Sequence, residues 1–118
     1  MSDRKEPVRP LVLRDTGTGM TYTLEFSRDT VRYAEGRGFK YADVADFPMT
    51  GIYDLFWYAF RMHHKNISRE KTDRIIDDWG GIENIPAGVL ERLGQLYAAP
   101  FDTLRDDEER PPKVTVEL

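Results

Sequence analysis

Two adjacent histidines, His63 and His64, are the only imidazoles in a chain of 118 residues. They close its most aromatic run, TGIYDLFWYAFRMHHKN, residues 50–66. An imidazole can hold a metal, relay a proton or activate a nucleophile near neutral pH. Two that chelate one ion from a helix usually sit four residues apart, whereas neighbours on a helix point about 100° apart. The spacing is therefore wrong for shared coordination. On a helix through this run, His63 falls in the middle of the apolar face, which predicts a neutral imidazole bonded to a backbone carbonyl. His64 falls at the edge near the helix end, where a cation suits the helix dipole.

Asp73 and Asp77 are the next candidates, four apart in SREKTDRIIDDWGG, a spacing that puts two carboxylates on one helix face for acid–base work or magnesium. Glu70, Arg74 and Asp78 share that exterior opposite Ile75, Ile76 and Trp79, so a solvated charged face is the better reading. Gly17 and Gly19 in TGTG invite a phosphate-loop reading, but such a loop must lead into a helix N-terminus, and this one leads into TYTLEF, a strand-like run. With no cysteine in the chain, disulfides, thiolate metal sites and thiol nucleophiles are all excluded. No catalytic set, metal site or cofactor is expected.

The elements that carry these residues run from strands to helices. LVLRD and MTYTLEF flank the glycine turn and predict an N-terminal β-hairpin. Ser27 stands where an N-cap belongs, ahead of a short helix stopped by Gly36 and Gly38. FKYADVADF leads as strand or loop to Pro48, a first-turn proline opening the central helix. On that helix Ile52, Leu55, Phe56, Ala59, Met62 and His63 share one face, extended round one side by Tyr53, Trp57, Phe60 and His64. A narrow polar stripe through Asp54, Tyr58, Arg61 and Lys65 remains. So wide an apolar surface must be buried from several directions, by the domain, a second copy or another protein. Ser68 caps a third helix that Gly80 and Gly81 end. A fourth starts near Pro86, carries Val89, Leu90, Leu93, Leu96 and Tyr97 at helical spacing, and is interrupted by Pro100. The fold class is α+β, a small hairpin followed by three to four packed helices, with helix packing dominant.

One domain over residues 11–104 is expected, with a flexible stretch over 1–10 and a charged tail over 105–118 in which KVTVEL is either solvated or an added edge strand. The balance of 17 basic against 21 acidic side chains, formally −4, disfavours nucleic acid as a partner. No stretch is apolar for long enough to be a signal or transmembrane segment, and with the missing cysteines this suggests a reducing cytoplasm.

The segments YTLEFSRDTVRYAEGRGF, DFPMTGIYDLFWYAFRMHHKNISREKTDRIIDD and LERLGQLYAAPFDTL together resemble a family of small tailed-phage and prophage proteins, the domain of unknown function DUF5055. The matching positions are Tyr22, Leu24, Glu25 and Arg28, then Glu35, Gly38 and Phe39, then Pro48 to Thr50. They continue through Leu55, Phe56, Ala59, Phe60, His63 and His64 to the segment from Leu96 to Pro100. They span about residues 20–105 and are packing, turn and capping residues, specific to a family and mute about chemistry. The family is regarded as tail-assembly-chaperone-like. The resemblance implies a non-enzymatic protein of the bacterial host cytoplasm that coats the helical, aggregation-prone tape-measure protein during tail assembly and then leaves. Tyr53, Trp57, Phe60 and Trp79 are of the residue types that dominate binding hot spots, and are expected to be the partner-binding anchors. A tape-measure helix would dock its apolar stripe between the central and C-terminal helices. The alternative is a structural or adaptor component that stays in the tail. An enzyme would have to draw on His63, His64 and the Asp77 region.

Overall fold

The computed structural model of the chain describes residues 7–107 together with Val114 and Glu117. Strand β1 (Leu11–Arg14) pairs antiparallel with β2 (Thr21–Leu24), in the register that sets Leu11 against Leu24 and Leu13 against Tyr22. Asp15 builds the turn: its carboxylate accepts from the backbone N–H groups of Gly17 and Thr18 at 2.8 and 3.2 Å, and Gly19 takes the positive φ of 78°. A side-chain turn of this kind replaces backbone bonds that the bend cannot make. The glycines of TGTG thus serve the hairpin.

Helix α1 (Arg28–Gly36) begins at Ser27 with a reciprocal box. The Ser27 hydroxyl accepts from Thr30 N–H at 3.2 Å, and the Thr30 hydroxyl accepts from Ser27 N–H at 2.8 Å. Each satisfies a backbone donor that the helix start leaves without a partner. A single 3-10 turn, Tyr41–Asp43, leads to α2 (Pro48–Phe60), with Pro48 in the first turn as the sequence predicts. Ser68 caps α3 (Arg69–Trp79), which stops at Gly80 in a left-handed conformation with φ 106°. Another 3-10 turn, Ile82–Asn84, leads to α4 (Val89–Asp107). The hairpin followed by four helices is α+β and helix-dominated.

Two boundaries of α4 differ from expectation. The helix starts at Val89 and not near Pro86, because Gly88 holds φ 88° and Val89 N–H closes a turn onto the Pro86 carbonyl. It also continues through Pro100 to Asp107. Proline in a helix interior forfeits one backbone bond and crowds the preceding turn. Here Pro100 is itself buried, one turn beyond the core residues Leu96 and Tyr97. Residues 105–107 of the expected tail are therefore helical. The remainder of that tail, KVTVEL included, and residues 1–6 lie outside the described residues, apart from Val114 and Glu117.

The core gathers Tyr22, Leu24 and Phe26 from the hairpin side, Val31 and Ala34 from α1, and Ile52, Leu55, Phe56, Ala59 and Phe60 from α2. Phe39 after α1, Tyr58 from α2, Ile76 from α3 and Val89, Leu93, Leu96 and Tyr97 from α4 complete it. Helix α2 contacts β2, α1, α3 and α4 and is the element around which the others pack. One glycine sets a close approach: a Cβ on Gly51 would stand 2.8 Å from Val44 Cα, so the loop from the first 3-10 turn lies directly on α2. The hairpin docks on the other end of α2, where Glu25 N–H donates to the Ala59 carbonyl at 3.0 Å and Thr23 N–H donates to His64 Nε2 at 2.9 Å.

Candidate partner-binding surface

Helix α2 ends at Phe60, one turn before the histidines, and Arg61 to His63 form a turn. His63 and His64 both direct their backbone N–H groups to the Phe60 carbonyl, at 3.2 and 2.7 Å. Helical periodicity therefore stops short of the pair and their expected roles are exchanged. His63, placed by the sequence on the buried face, is exposed, with Nε2 2.8 Å from Glu25 Oε1. His64 is the half-buried one, edge-on to the rings of Tyr22 and Phe60 with centroids 5.3 and 6.1 Å apart. Accepting the Thr23 N–H at Nε2 puts the proton of a neutral His64 on Nδ1. Burial, and secondly the charge of His63, hold its pKa below the ordinary histidine value.

The four expected anchors separate into two kinds. Phe60 is a correction: it is 0% exposed and packs edge-on against Phe56 and Tyr22, with centroids 5.0 and 5.5 Å apart. Its position on α2 faces the docked hairpin and not solvent, so no partner reaches it without opening the core. Tyr53, Trp57 and Trp79 are half-buried at the rim of that core. The Tyr53 hydroxyl donates to Asp77 Oδ1 at 2.5 Å, and this bond, ahead of burial, pushes the phenol up to about 12. Trp57 Nε1–H donates to the Ile67 carbonyl at 3.3 Å, and Trp79 meets Phe56 edge-on at 5.8 Å. Each ring thus keeps an edge in solvent while its polar tip or other face is fixed by the fold.

Tyr58, read from the sequence as part of the polar stripe, is buried against Phe39, with Tyr33 and Trp57 on its other sides. That cluster links α1, the segment after it and α2. Helix α4 joins through Tyr97, which touches Phe39 and Phe26 and donates to Glu35 Oε2 at 3.2 Å. Burial and Glu35 push the Tyr97 phenol up to about 12. Helices α2 and α4 lie in contact, so the slot expected between them for a partner helix is filled by the chain's own packing.

Asp73 and Asp77 both bear on the Tyr53 phenol, through different contacts. Asp77 serves Tyr53, and Asp73 stands 3.7 Å from Arg69 Nε, a charge contact longer than a hydrogen bond. Arg69 bonds in turn to Asp54. Among the described residues no group of three or more histidine or acidic side chains is arranged to hold a metal ion, and no helix is long and apolar enough to cross a membrane.

The largest exposed apolar side chains lie elsewhere. Phe47 and Met49, flanking Pro48 at the start of α2, are 64% and 68% exposed. Phe47 is the N-cap residue and contributes no capping bond. Tyr41, from the same loop, stacks on Tyr97 at 4.9 Å with an interplanar angle of 18°, and Phe101 packs on that ring from α4. Tyr41, Phe101 and Leu90 are all exposed. The signal for this surface was in the sequence: at the residue before Pro48, a phenylalanine stands where a polar N-cap is favoured.

No curated protein and no solved structure matches the chain. A family model does match, and it spans residues 1–118, so the packing, turn and capping residues described above are those of a member of the family described as Domain of unknown function (DUF5055).

Proposed function

We propose that the protein is a non-enzymatic, phage tail assembly chaperone-like protein that binds the tape-measure protein in the bacterial host cytoplasm. The observation that carries this reading is the uncapped, exposed apolar start of α2, Phe47 and Met49, in a chain whose other large side chains from α2 are drawn into the core or fixed at its rim. Exposed apolar side chains on a small soluble domain are the usual mark of a surface that another protein covers. Tyr53, Trp57 and Trp79 offer ring edges to the same kind of partner, an amphipathic helix with an apolar stripe. The charged faces of α3 and α4 keep such a complex soluble, and neither nucleic acid nor membrane enters the scheme.

Co-expression with the tape-measure protein, followed by size exclusion with light scattering, tests it. A soluble complex where the large protein alone precipitates is the expected result, weakened when Phe47 and Met49 are both changed to serine. Failure to form a complex, with the isolated chain a closed oligomer, would assign the apolar surface to self-association. That outcome favours a structural or adaptor role in the tail, which mass spectrometry of purified particles would then detect.

A further inference from the structure

Around Trp57 the chain gathers its cations. Arg61 lies 3.5 Å from the centroid of the Tyr33 ring, and Arg37 lies 5.5 Å from the same centroid and 5.9 Å from that of Trp57. Arg69 covers Trp57 from α3 at 5.2 Å. Between them runs a shallow cleft lined by Trp57, Tyr58, Arg61, His64, Lys65 and Ile67. Arg69 is neutralised by Asp54 and Asp73. Among the described residues no carboxylate stands within ion-pairing distance of Arg37, Arg61 or Lys65. The nearby carboxylates are turned elsewhere, Glu35 to Tyr97 and Glu25 to His63. Two guanidinium groups therefore share one aromatic ring with no anion between them, in a protein whose formal charge is −4. Contact with the rings restricts where these side chains can lie, which lowers the ordering cost of presenting them to a ligand.

The geometry points to this cleft as a docking site for a carboxylate-bearing peptide segment of a partner protein, its acidic side chains on Arg37, Arg61 and Lys65 and an adjacent apolar side chain against Trp57 and Ile67. A guanidinium binds a carboxylate with two parallel hydrogen bonds, which Arg61 and Arg37 can each offer. The cations form one compact cluster with an apolar wall. A nucleic-acid strand would need a track of charge along its backbone, and the acidic remainder of the protein would repel it. This surface is distinct from the Phe47 and Met49 surface, and its ligand chemistry holds whether or not the partner is a tape-measure protein.

The test is titration of the full chain with a synthetic peptide of alternating glutamate and leucine, followed by the indole N–H resonance of Trp57. Trp79, the other tryptophan, is assigned with Trp79→Phe. The Trp57 signal is expected to shift in a saturable way with the glutamate peptide, less as salt is raised, and not with the glutamine–leucine counterpart. Arg61→Gln with Lys65→Gln is expected to weaken binding by about tenfold. Lys65→Gln alone, at an exposed position outside the ring contacts, gives a smaller loss in the same direction with the circular dichroism spectrum unchanged. Equal response to the glutamine peptide, or a Trp57 signal that does not move, overturns the assignment. Saturation by oligothymidylate in the absence of any response to the glutamate peptide overturns it in favour of nucleic acid.

Discussion

The two ends of α2 are built on opposite principles. At its C-terminal end the Ala59 carbonyl, the His64 imidazole and the Phe60 ring receive the hairpin, and the backbone N–H groups of Thr23 and Glu25 find acceptors there. At its N-terminal end Phe47 occupies the cap position without capping, and Met49 stands in solvent beside it. A polar N-cap is worth about 0.5–2 kcal/mol, so the N-terminal end gives up stability that one substitution would recover. Such a concession, placed where the apolar side chains are most exposed, is what the proposed partner surface requires and what the closed end lacks.

The largest effect should come from the closed end. Phe60→Ala removes a fully buried ring and is expected to destabilise the protein by about 3–5 kcal/mol in denaturant unfolding. Unchanged stability with a lost partner would collapse the distinction between the two ends. Gly51→Ala comes next, because the added methyl meets Val44 backbone at 2.8 Å. A cost of about 1–3 kcal/mol is expected, from overpacking. A thermal melt that does not move would mean that the loop shifts away freely.

His64→Ala leaves the Thr23 N–H without its acceptor and should cost about 1–2 kcal/mol. His63→Ala, which breaks an exposed pair, should cost no more than about 1 kcal/mol. His64 also gives a pH dependence. Because the folded state holds the His64 pKa below its ordinary value of 6.5, the unfolded chain takes up the proton first as pH falls. The stabilisation from neutral His64 is therefore complete above about pH 6.5 and is lost on acidification through the folded-state pKa. Stability measured from pH 8 down to 5, about the range in which a histidine titrates, should fall more in the wild type than in His64→Gln. Equal slopes would show that Thr23 does not depend on an unprotonated imidazole.

The smallest change is also the most discriminating. Phe47→Asp supplies the missing cap and should stabilise folding by about 1 kcal/mol, while weakening capture of the partner. If capture is unchanged, the exposed start of α2 has no role in it.

What the sequence revealed was mostly local backbone chemistry. Ser27, Ser68, Pro48, Gly80 and the TGTG turn were legible because each acts within three or four residues of itself, and the hairpin and helix order follow from them. The departures have separate physical causes. Projecting 100° per residue past Phe60 assumed that the helix continues; it turns there, and His63 and His64 exchange environments. The same projection put Tyr58 in a polar stripe and Phe60 among the anchors, because a helical wheel cannot tell that α1 and the segment after it cover the one and the hairpin the other. Pro100 is a local stop signal through which α4 nevertheless continues, with the proline itself on the buried side. The exposed Phe47 is marked in the sequence by its place, where a polar cap belongs, and not by the density of aromatic residues around it.

The bonds that dock the hairpin also decide how its sheet can grow. Thr23 and Glu25 point their N–H groups away from β1, on the side where a third strand would add, and these donors are already engaged by His64 and Ala59. Open strand edges are templates for pairing with other chains, and along β2 that template is plugged by an imidazole and a helix-end carbonyl. Strand addition from a neighbouring chain is therefore directed away from β2. A variant that releases His64 would free a backbone donor there and add a route to edge-to-edge association to its loss of stability.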